Sequence, residues 1–372
     1  MLGLVADDLT GAGDAAVGFA EAGWRAVLCL DPARPAPGAG TGPTVLAVST
    51  GARALSDAEA ARRTTRAVEA MLAAGADRLY LKIDSTVRGS VAGQLDGALA
   101  AWSRAHPAAR AVVCPAFPAH GRTVVDGQVL VDGAPLAASA AAQDPVTPRA
   151  HGDLLRLLPG AVRRRDDDRS GPPGSRFVVD ARDDDDLDRL AARVDATGPA
   201  LVVVGSGGLA AALGRTWAQP VSPAPAPAVR GRVLVAVSSL HPATAAQLAR
   251  LTTGRLAGEV DVLTTTTART TSDAAVADLA ARVGAALAGH PYEAVVVVGG
   301  DGAAAVLAGL GADRVEIDAA LVPGCPTGLV AGGRAEGLRV VTKSGGFGGP
   351  ATLDQIVTRL RAGPRPTTEE VP

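Results

Sequence analysis

Short apolar runs alternate with amphipathic, alanine- and leucine-rich runs along most of the chain. The apolar runs are continuously hydrophobic, which is typical of strands buried on both faces of a parallel sheet. Helical patterns lie between several of them, at residues 57–74, 93–105 and 184–196. The chain is therefore predicted to be an α/β protein. The predicted strands are residues 2–5, 27–30, 45–48, 78–83, 111–114, 177–179, 201–204, 233–237, 260–263, 294–298, 314–317 and 339–342.

A proline-rich segment interrupts this alternation at residues 219–230 (QPVSPAPAPAVR). Alternating Pro and Ala favour extended polyproline geometry, so the segment is predicted to be a semi-rigid linker. The 372 residues also exceed the usual size of one domain. We predict a first domain over 1–218, a second over 231–362 and a flexible tail over 363–372. Each domain is expected to be a mostly parallel sheet flanked by helices, with the active site in the cleft between them.

Composition narrows the kinds of partner and the location that the protein is expected to have. The 36 basic and 38 acidic residues nearly balance, and no basic stripe is present, which argues against nucleic acid as a partner. No long apolar span or signal-peptide pattern is found, so a cytoplasmic protein without a membrane partner is expected. Cys29, Cys114 and Cys325 are scattered and predicted to be buried or incidental thiols.

The first predicted strand runs into Asp7 and Asp8, then Thr10 and Gly11, and a helical pattern follows. Ligands of open α/β sheets bind beyond the carboxyl ends of strands. Two carboxylates there suit a polyol, a hydroxyl to be activated, or Mg²⁺. The structural alternative is that such an Asp only caps the helix.

A second cluster follows the strand at 78–83. Residues 82–90 (KIDSTVRGS) contain two cations, a carboxylate and hydroxyls, the set that a small anionic polyhydroxy substrate needs. Lys82, Arg88 and Arg53 are candidates to hold its carboxylate. Asp8 or Asp84 is the candidate catalytic residue that orients the attacking hydroxyl and accepts its proton. A surface ion-pair turn is the structural alternative.

His120 lies in a third segment, residues 115–127 (PAFPAHGRTVVDG), where proline-rich turns are predicted to fix a loop. It could aim into the same cleft, together with Arg122, Thr123 and Asp126, and act as a general acid or base. A hydrogen-bonded structural histidine is the alternative.

Glycine turns follow strands in the second half, at residues 299–302 (GGDG) and 343–349 (KSGGFGG), and a Ser-Ser turn stands at 238–242 (SSLHP). Such turns let backbone N–H groups approach phosphate oxygens closely. Together they predict a nucleotide cradle.

Residues 11–16 (GAGDAA) match the glycine pattern of dinucleotide-binding proteins, and Asp31 is a possible ribose acceptor. An NAD(P)-dependent oxidoreductase is therefore one alternative function. Asp7 and Asp8 just before this turn would repel a pyrophosphate. Residues 205–210 and 300–305 match the same pattern by composition alone.

Taken in order, the motifs resemble those of the four-carbon acid sugar kinase family, whose members phosphorylate threonate, erythronate or 3-oxo-tetronate at the 4-hydroxyl with ATP. The resemblance spans residues 1–353. It is carried by residues 6–12 (ADDLTGA), 82–89 (KIDSTVRG), 115–124 (PAFPAHGRTV), 144–148 (DPVTP), 205–210 (GSGGLA), 299–302 (GGDG), 323–326 (PGCP) and 343–348 (KSGGFG).

The resemblance implies an N-terminal acid-sugar-binding domain and a C-terminal nucleotide-binding domain. Combined with the residue chemistry, it predicts an ATP- and Mg²⁺-dependent kinase, with a homodimer and a non-catalytic acid-sugar-binding paralogue left open. The predicted acid-sugar site comprises Asp7, Asp8, Arg53, Lys82, Ile83, Asp84, Ser85, Arg88 and His120. The predicted ATP site comprises Ser239, Gly299, Gly300, Asp301, Gly302 and Gly345.

Overall fold

The structure is a computed structural model that describes residues 1–144, 146–164, 171–219, 228–265 and 273–362. The chain divides into two compact units, unit 1 (Met1–Pro220) and unit 2 (Val221–Pro372). Most of the predicted linker (220–227) and the predicted tail (363–372) lie outside the described residues.

Unit 1 contains a parallel sheet flanked by helices and a small antiparallel sheet. Its strands are β1 (Leu2–Ala6), β2 (Arg25–Cys29), β3 (Thr44–Ser49), β4 (Arg78–Lys82), β5 (Arg110–Cys114), β6 (Arg122–Val125), β7 (Gln128–Val131), β8 (Ala134–Pro135), β9 (Ala161–Arg163), β10 (Arg176–Val178) and β11 (Leu201–Gly205). Its helices are α1 (Leu9–Glu21), α2 (Asp57–Ala73), α3 (Val91–Ala105), α4 (Leu154–Leu157), α5 (Asp184–Thr197) and α6 (Gly207–Thr216). Short 3-10 helices lie at Pro118–His120, Leu136–Ala138 and Ala140–Gln143.

The parallel sheet of unit 1 has the strand order β2-β3-β1-β4-β11-β5-β10-β9. The central strand β1 is buried along its whole length, as its uninterrupted apolar sequence predicts. Helices α1 and α6 pack closely, because a Cβ built on Gly18 would lie 2.8 Å from the Cα of Ala211. The second sheet has the order β6-β7-β8 and is antiparallel.

Unit 2 contains strands β12 (Arg232–Val237), β13 (Val260–Thr264), β14 (Tyr292–Val298), β15 (Arg314–Val322), β16 (Cys325–Ala331) and β17 (Arg339–Lys343). Its helices are α7 (Pro242–Thr253), α8 (Asp273–Gly289), α9 (Gly300–Gly309) and α10 (Thr352–Ala362), with a short 3-10 helix at Gly333–Ala335. The strand order is β13-β12-β14-β17-β16-β15. Strands β13, β12, β14 and β17 are parallel, and β16 runs antiparallel to both β17 and β15.

The predicted α/β class with mostly parallel sheets is confirmed, and each predicted strand is present, most with bounds moved by one or two residues. Strand β9, the antiparallel strand β16 and the β6-β7-β8 sheet were not predicted. Valine, leucine and alanine dominate both cores, and the three cysteines are buried free thiols, as expected. No helix in the described part of the chain is long and apolar enough to cross a membrane.

Candidate active site

The carboxyl ends of four neighbouring strands in unit 1 meet at one edge of the sheet. Ala6 at the end of β1 pairs with both Ser49 of β3 and Lys82 of β4, and Lys82 pairs with Gly205 of β11. The loops that leave these strands carry most of the predicted acid-sugar residues. Their register explains why motifs distant in sequence come together.

Arg53, from the loop after β3, joins the two acidic residues that follow β1. Its Nε and Nη2 donate to the two carboxylate oxygens of Asp7 at 2.7 and 2.8 Å, and its Nη1 donates to Asp8 at 2.6 Å. Asp8 also caps α1, because its Oδ1 accepts the backbone N–H of Gly11 at 2.7 Å. Asp8 therefore both caps α1 and belongs to the cluster of charged side chains.

Asp84 organises the loop after β4. Its two oxygens accept the Nε and Nη2 of Arg88 at 3.0 and 2.8 Å, and the backbone N–H and hydroxyl of Thr86 also donate to it. Arg88 donates from Nη1 to Asp144 at 2.7 Å. Val87, between these residues, has a φ of 51°, a left-handed conformation that a β-branched residue adopts only when its surroundings impose it. The loop is thus held by hydrogen bonds among its own residues.

Lys82 stands apart from this network of ion pairs. Its side chain is only 4% exposed, and no hydrogen bond or ion pair engages its ammonium group within the described part of the chain. A Cβ built on Gly11 would lie 3.1 Å from Lys82 Nζ, so the missing side chain at Gly11 makes room for the amine. The hydroxyl of Ser85 is likewise without a partner among the described residues. A buried cation that makes no direct ion pair or hydrogen bond is well placed to take one from a ligand carboxylate.

The ion pairs keep Asp8 and Asp84 ionised, whereas burial raises the pKa of Asp7 in spite of Arg53. Burial raises the pKa of Asp8, but Arg53 and Lys82 outweigh it and hold the value below the usual range. Burial also opposes ionisation of Asp84, yet Arg88 and Arg53 lower its pKa well below the usual range. Both groups are therefore stable carboxylates at neutral pH.

The predicted acid-sugar residues His120 and Ile83 are uncharged, in contrast to the residues above. The ring of His120 lies 4.3 Å from that of Phe117, edge to face, and burial together with Arg122 lowers the pKa of His120 to about 4. His120 is therefore neutral at pH 7. Ile83 has a fully buried side chain and donates its backbone N–H to the carbonyl of Gly205 at 2.8 Å, so neither its side chain nor its N–H is available to a ligand.

The segment at 11–16 forms no glycine turn. It lies within α1, which begins at Leu9, and its first glycine is hydrogen-bonded to the cap residue Asp8. The dinucleotide-binding alternative needs a loop between strand and helix at this point. The helix removes that loop.

Unit 2 brings its three strand-end turns together in the same way. Val237 of β12 pairs with Val298 of β14, which pairs with Lys343 of β17. The backbone N–H groups of Ser238 and Ser239 both donate to the carbonyl of Val298, and that of Gly299 donates to Lys343 at 2.9 Å. Gly299 has a φ of 114°, and Gly300 begins α9, with Asp301 in its first turn. Ser239, Gly299–Gly302 and Gly345 therefore lie at adjacent positions.

Two side chains of α7 hold residues 344–349, which we call the glycine loop. Thr244 donates to the carbonyl of Gly345 at 2.9 Å, and the amide of Gln247 donates to the carbonyls of Phe347, Gly348 and Gly349 at 3.0–3.1 Å. These contacts fix the loop so that its N–H groups can face an anion.

Lys343 is fully buried at the end of β17, and its ammonium donates to the carbonyl of Ser344 at 2.8 Å. Burial lowers its pKa to about 8. Lys82 and Lys343 are the only lysines in the sequence, and each stands at a strand end beside one candidate site. The scarcity of lysine was the sequence signal that could have added Lys343 to the predicted site. Thr244, Gln247 and Asp14 had no such signal.

Comparison with known proteins identifies the family of the chain. Residues 2–213 match a family model described as a sugar-binding N-terminal domain, and residues 268–353 match a nucleotide-binding C-terminal domain. The chain is 38% identical to a D-threonate kinase of Bordetella bronchiseptica over 97% of each chain. It is 27% identical to a 3-oxo-tetronate kinase of Cupriavidus necator, again over 97% of each chain.

Solved structures with a similar fold also cover nearly the whole chain. A Bordetella bronchiseptica protein described as a domain of unknown function, with bound citrate and as a domain-swapped dimer, is 36% identical and covers 97% of this chain and 98% of its own, with a TM-score of 0.51. A Haemophilus influenzae protein that is 20% identical has a TM-score of 0.68 over 96% of this chain and 100% of its own, and supports the fold alone. The chain thus belongs to the four-carbon acid sugar kinase family and is a kinase of such an acid.

Proposed function

We propose that this kinase transfers the γ-phosphoryl group of ATP to the 4-hydroxyl of D-threonate, with unit 1 (extending the predicted domain 1–218) binding the acid and unit 2 (containing the predicted domain 231–362) binding the nucleotide. The choice of D-threonate is supported by the 38% identical relative, which matches over 97% of both chains.

The observation that carries this proposal is the buried, unpaired ammonium of Lys82. The arginines beside it are already engaged by carboxylates, whereas the Lys82 ammonium makes no ion pair or hydrogen bond at contact distance among the described residues, and Asp8 and Asp14 act on it only from further away. An acid sugar brings one carboxylate and several hydroxyls. We assign the carboxylate to Lys82, and the hydroxyls to Ser85 and to the N–H groups that Arg53 and Arg88 have left over.

The remaining predicted residues of unit 1 have supporting roles in this proposal. Asp7 and Asp8 orient Arg53, and Asp84 orients Arg88. Ile83 offers only its main-chain carbonyl, and neutral His120 offers a hydrogen bond rather than a charge. The earlier assignment of proton transfer to Asp8 or Asp84 stays a prediction.

For ATP, we propose that Ser239, Gly299, Gly300, Gly302 and Gly345 surround the phosphates. Two of these glycines let the turns approach one another closely, since a Cβ on Gly302 would collide with Ser238 and one on Gly345 with Ser239. The ammonium of Lys343 and the N-terminus of α9 supply positive potential at the same place.

We propose that Mg²⁺ enters with ATP. No group of three or more His, Cys, Asp or Glu able to hold a metal is found among the described residues. Mg²⁺ commonly uses phosphate oxygens plus one or two carboxylates, and Asp301 is the carboxylate nearest the glycine turn in sequence. The bound ion would neutralise charge on the transferring phosphoryl group.

We further propose a homodimer in the cytoplasm. The solved Bordetella bronchiseptica relative is described as a domain-swapped dimer, and ATP is a cytoplasmic substrate.

The test is an ADP-release assay with Mg-ATP and a panel of D- and L-threonate, D- and L-erythronate and their 3-oxo forms. D-threonate is expected to give the highest kcat/KM. A higher kcat/KM for another acid would overturn the choice of D-threonate, and no turnover with any would overturn the kinase assignment.

A second measurement reads the two sites separately. Calorimetry of Lys82→Met should show lost D-threonate binding and retained ATP binding, and Lys343→Met should show the reverse. Each variant is the control for the other, because each lysine is buried in one of the two units. Loss of ATP binding in Lys82→Met with D-threonate binding kept would contradict the assignment of the acid to unit 1.

A further inference from the structure

One buried carboxylate at the edge of unit 1 takes no part in the ion-pair network. Asp14 lies on α1 with 6% of its surface exposed. No hydrogen bond or ion pair engages its side chain within the part of the chain that the structure describes. A buried carboxylate in this state needs either a ligand or a proton.

Two glycines place the Asp14 side chain beside the site. Gly207, the first residue of α6, leaves room for it, because a Cβ built there would lie 2.5 Å from Asp14 Oδ2. Gly11 lies one turn before Asp14 on the same face of α1, and Lys82 Nζ lies over Gly11. The unpaired carboxylate and the unpaired ammonium therefore belong to one cluster.

Asp8 and Asp84 differ from Asp14 in what surrounds them. Each accepts hydrogen bonds from an arginine and from the backbone, so its lone pairs are occupied and its basicity is reduced. Burial instead raises the pKa of Asp14 to about 6. A general base works best when its pKa lies near the working pH and its oxygens are free to accept a proton.

We propose that Asp14 is the catalytic base of this kinase, accepting the proton of the substrate hydroxyl that attacks ATP. The proposal rests on the proposed function. In the step, the hydroxyl oxygen forms a bond to the γ-phosphorus, and the bond from that phosphorus to the β–γ bridging oxygen breaks. The hydroxyl proton passes to the Asp14 carboxylate, and ADP leaves with the electrons of the broken bond.

The charged groups that act on Asp14 are Lys82 from β4, Asp8 at the start of α1 and Asp84 from the loop after β4. Lys82 favours the ionised form, and the two carboxylates oppose it. The phenol of Tyr80 on β4 is close enough for the Asp14 charge to raise its own pKa, and it stays neutral. Turnover is therefore expected to fall as the pH drops through about 6, where Asp14 takes up its proton.

The test compares Asp14→Asn and Asp14→Glu with the wild type, using whichever acid of the panel the wild type phosphorylates fastest. Asp188→Asn removes an exposed carboxylate on α5 and is the matched control. Asp14→Asn should lose about 10²–10⁴-fold in kcat, the usual contribution of a general base. Its dissociation constant for the acid, measured by calorimetry, should change less than about threefold, which is well under 1 kcal/mol. Asp14→Glu should recover part of kcat with a displaced acidic limb in the pH profile.

A readout that needs no substrate accompanies the kinetics. A ¹³C-carboxyl NMR titration of the wild type should show one aspartate titrating near pH 6, and this signal should be absent in Asp14→Asn. If that signal persists in the variant, or if the variant keeps kcat within tenfold of the wild type, the proposal is overturned. Loss of acid binding along with turnover would overturn it too, by making Asp14 a binding residue. A wild type that prefers an acid other than D-threonate changes only the proposed substrate.

Discussion

Replacing Lys343 by Met should stabilise unit 2 while abolishing ATP binding. The ammonium is fully buried, and its pKa in the folded chain is about 8 instead of the ordinary 10.5. At about 1.36 kcal/mol per pH unit, this difference means that burying the charge opposes folding by about 3 kcal/mol. Met fills a similar volume without a charge, and water can replace the bonds to the carbonyls of Ser344 and Gly345, both of which are half-buried residues. We expect a net gain of about 1–3 kcal/mol at pH 7.

The gain in free energy of unfolding from Lys343→Met should depend on pH. Between about pH 8 and 10.5 the unfolded chain binds a proton at Lys343 that the folded chain does not. The free energy of unfolding of the wild type therefore rises with pH across this range. Below about pH 8 the buried charge of Lys343 opposes folding to its full extent. At pH 10 the stability gain of Lys343→Met should shrink to under about 1 kcal/mol, since this pH lies near the upper end of that range.

The assay is a urea titration at pH 7 and pH 10, read by a hydrogen-exchange pulse on peptides from β14 and β17, with calorimetry for ATP. Arg255→Met, an exposed change in the same unit, is the control. A variant less stable than the wild type at pH 7, or a gain of equal size at both pH values, would refute the reasoning. Retained ATP affinity would remove Lys343 from the nucleotide site.

Three further outcomes follow from contacts described above. Gly207→Ala should reduce kcat at least tenfold, because the new methyl group lies within 2.5 Å of Asp14 Oδ2; steady-state kinetics would check this, and unchanged kcat would contradict it. Arg53→Lys should lower the free energy of unfolding of unit 1 by about 3–5 kcal/mol, since one ammonium cannot replace the bidentate contacts and leaves buried carboxylates under-paired. Urea denaturation decides it, and a loss under 1 kcal/mol would show that the ion pairs matter little. Gln247→Leu should raise the KM for ATP more than that for the acid, because the glycine loop loses three hydrogen bonds, and an equal rise in both constants would contradict its role.

Much of the fold was predictable because buried parallel strands are marked by continuous apolar runs, which local sequence reveals. The β6-β7-β8 sheet was missed although its turns carry a clear signal. Asp126-Gly127 and Asp132-Gly133 both adopt positive φ, as the tight hairpin turns that favour Asp-Gly require. The prolines before β6 drew the interpretation towards a loop instead.

The candidate site was predictable only in part. Strand ends identified Asp8, Arg53, Lys82 and Asp84, because carboxyl ends of parallel strands share an edge. Sequence could not show which of these groups satisfy one another and which stay unpaired. That distinction depends on side-chain distances, and it is what separates Lys82 from Arg53.

The aromatic residues have an uneven distribution with a practical consequence. Trp24, Trp102 and Trp217 are the only tryptophans of the sequence, and all lie within unit 1. Trp217 stacks on Phe19, Trp24 packs edge to face against the same ring, and Trp102 is fully buried. Tryptophan fluorescence therefore reports on unit 1 alone, because unit 2 contains no tryptophan. A single emission spectrum followed during denaturation, set against far-UV circular dichroism of the whole chain, would show whether the two halves melt together or in turn.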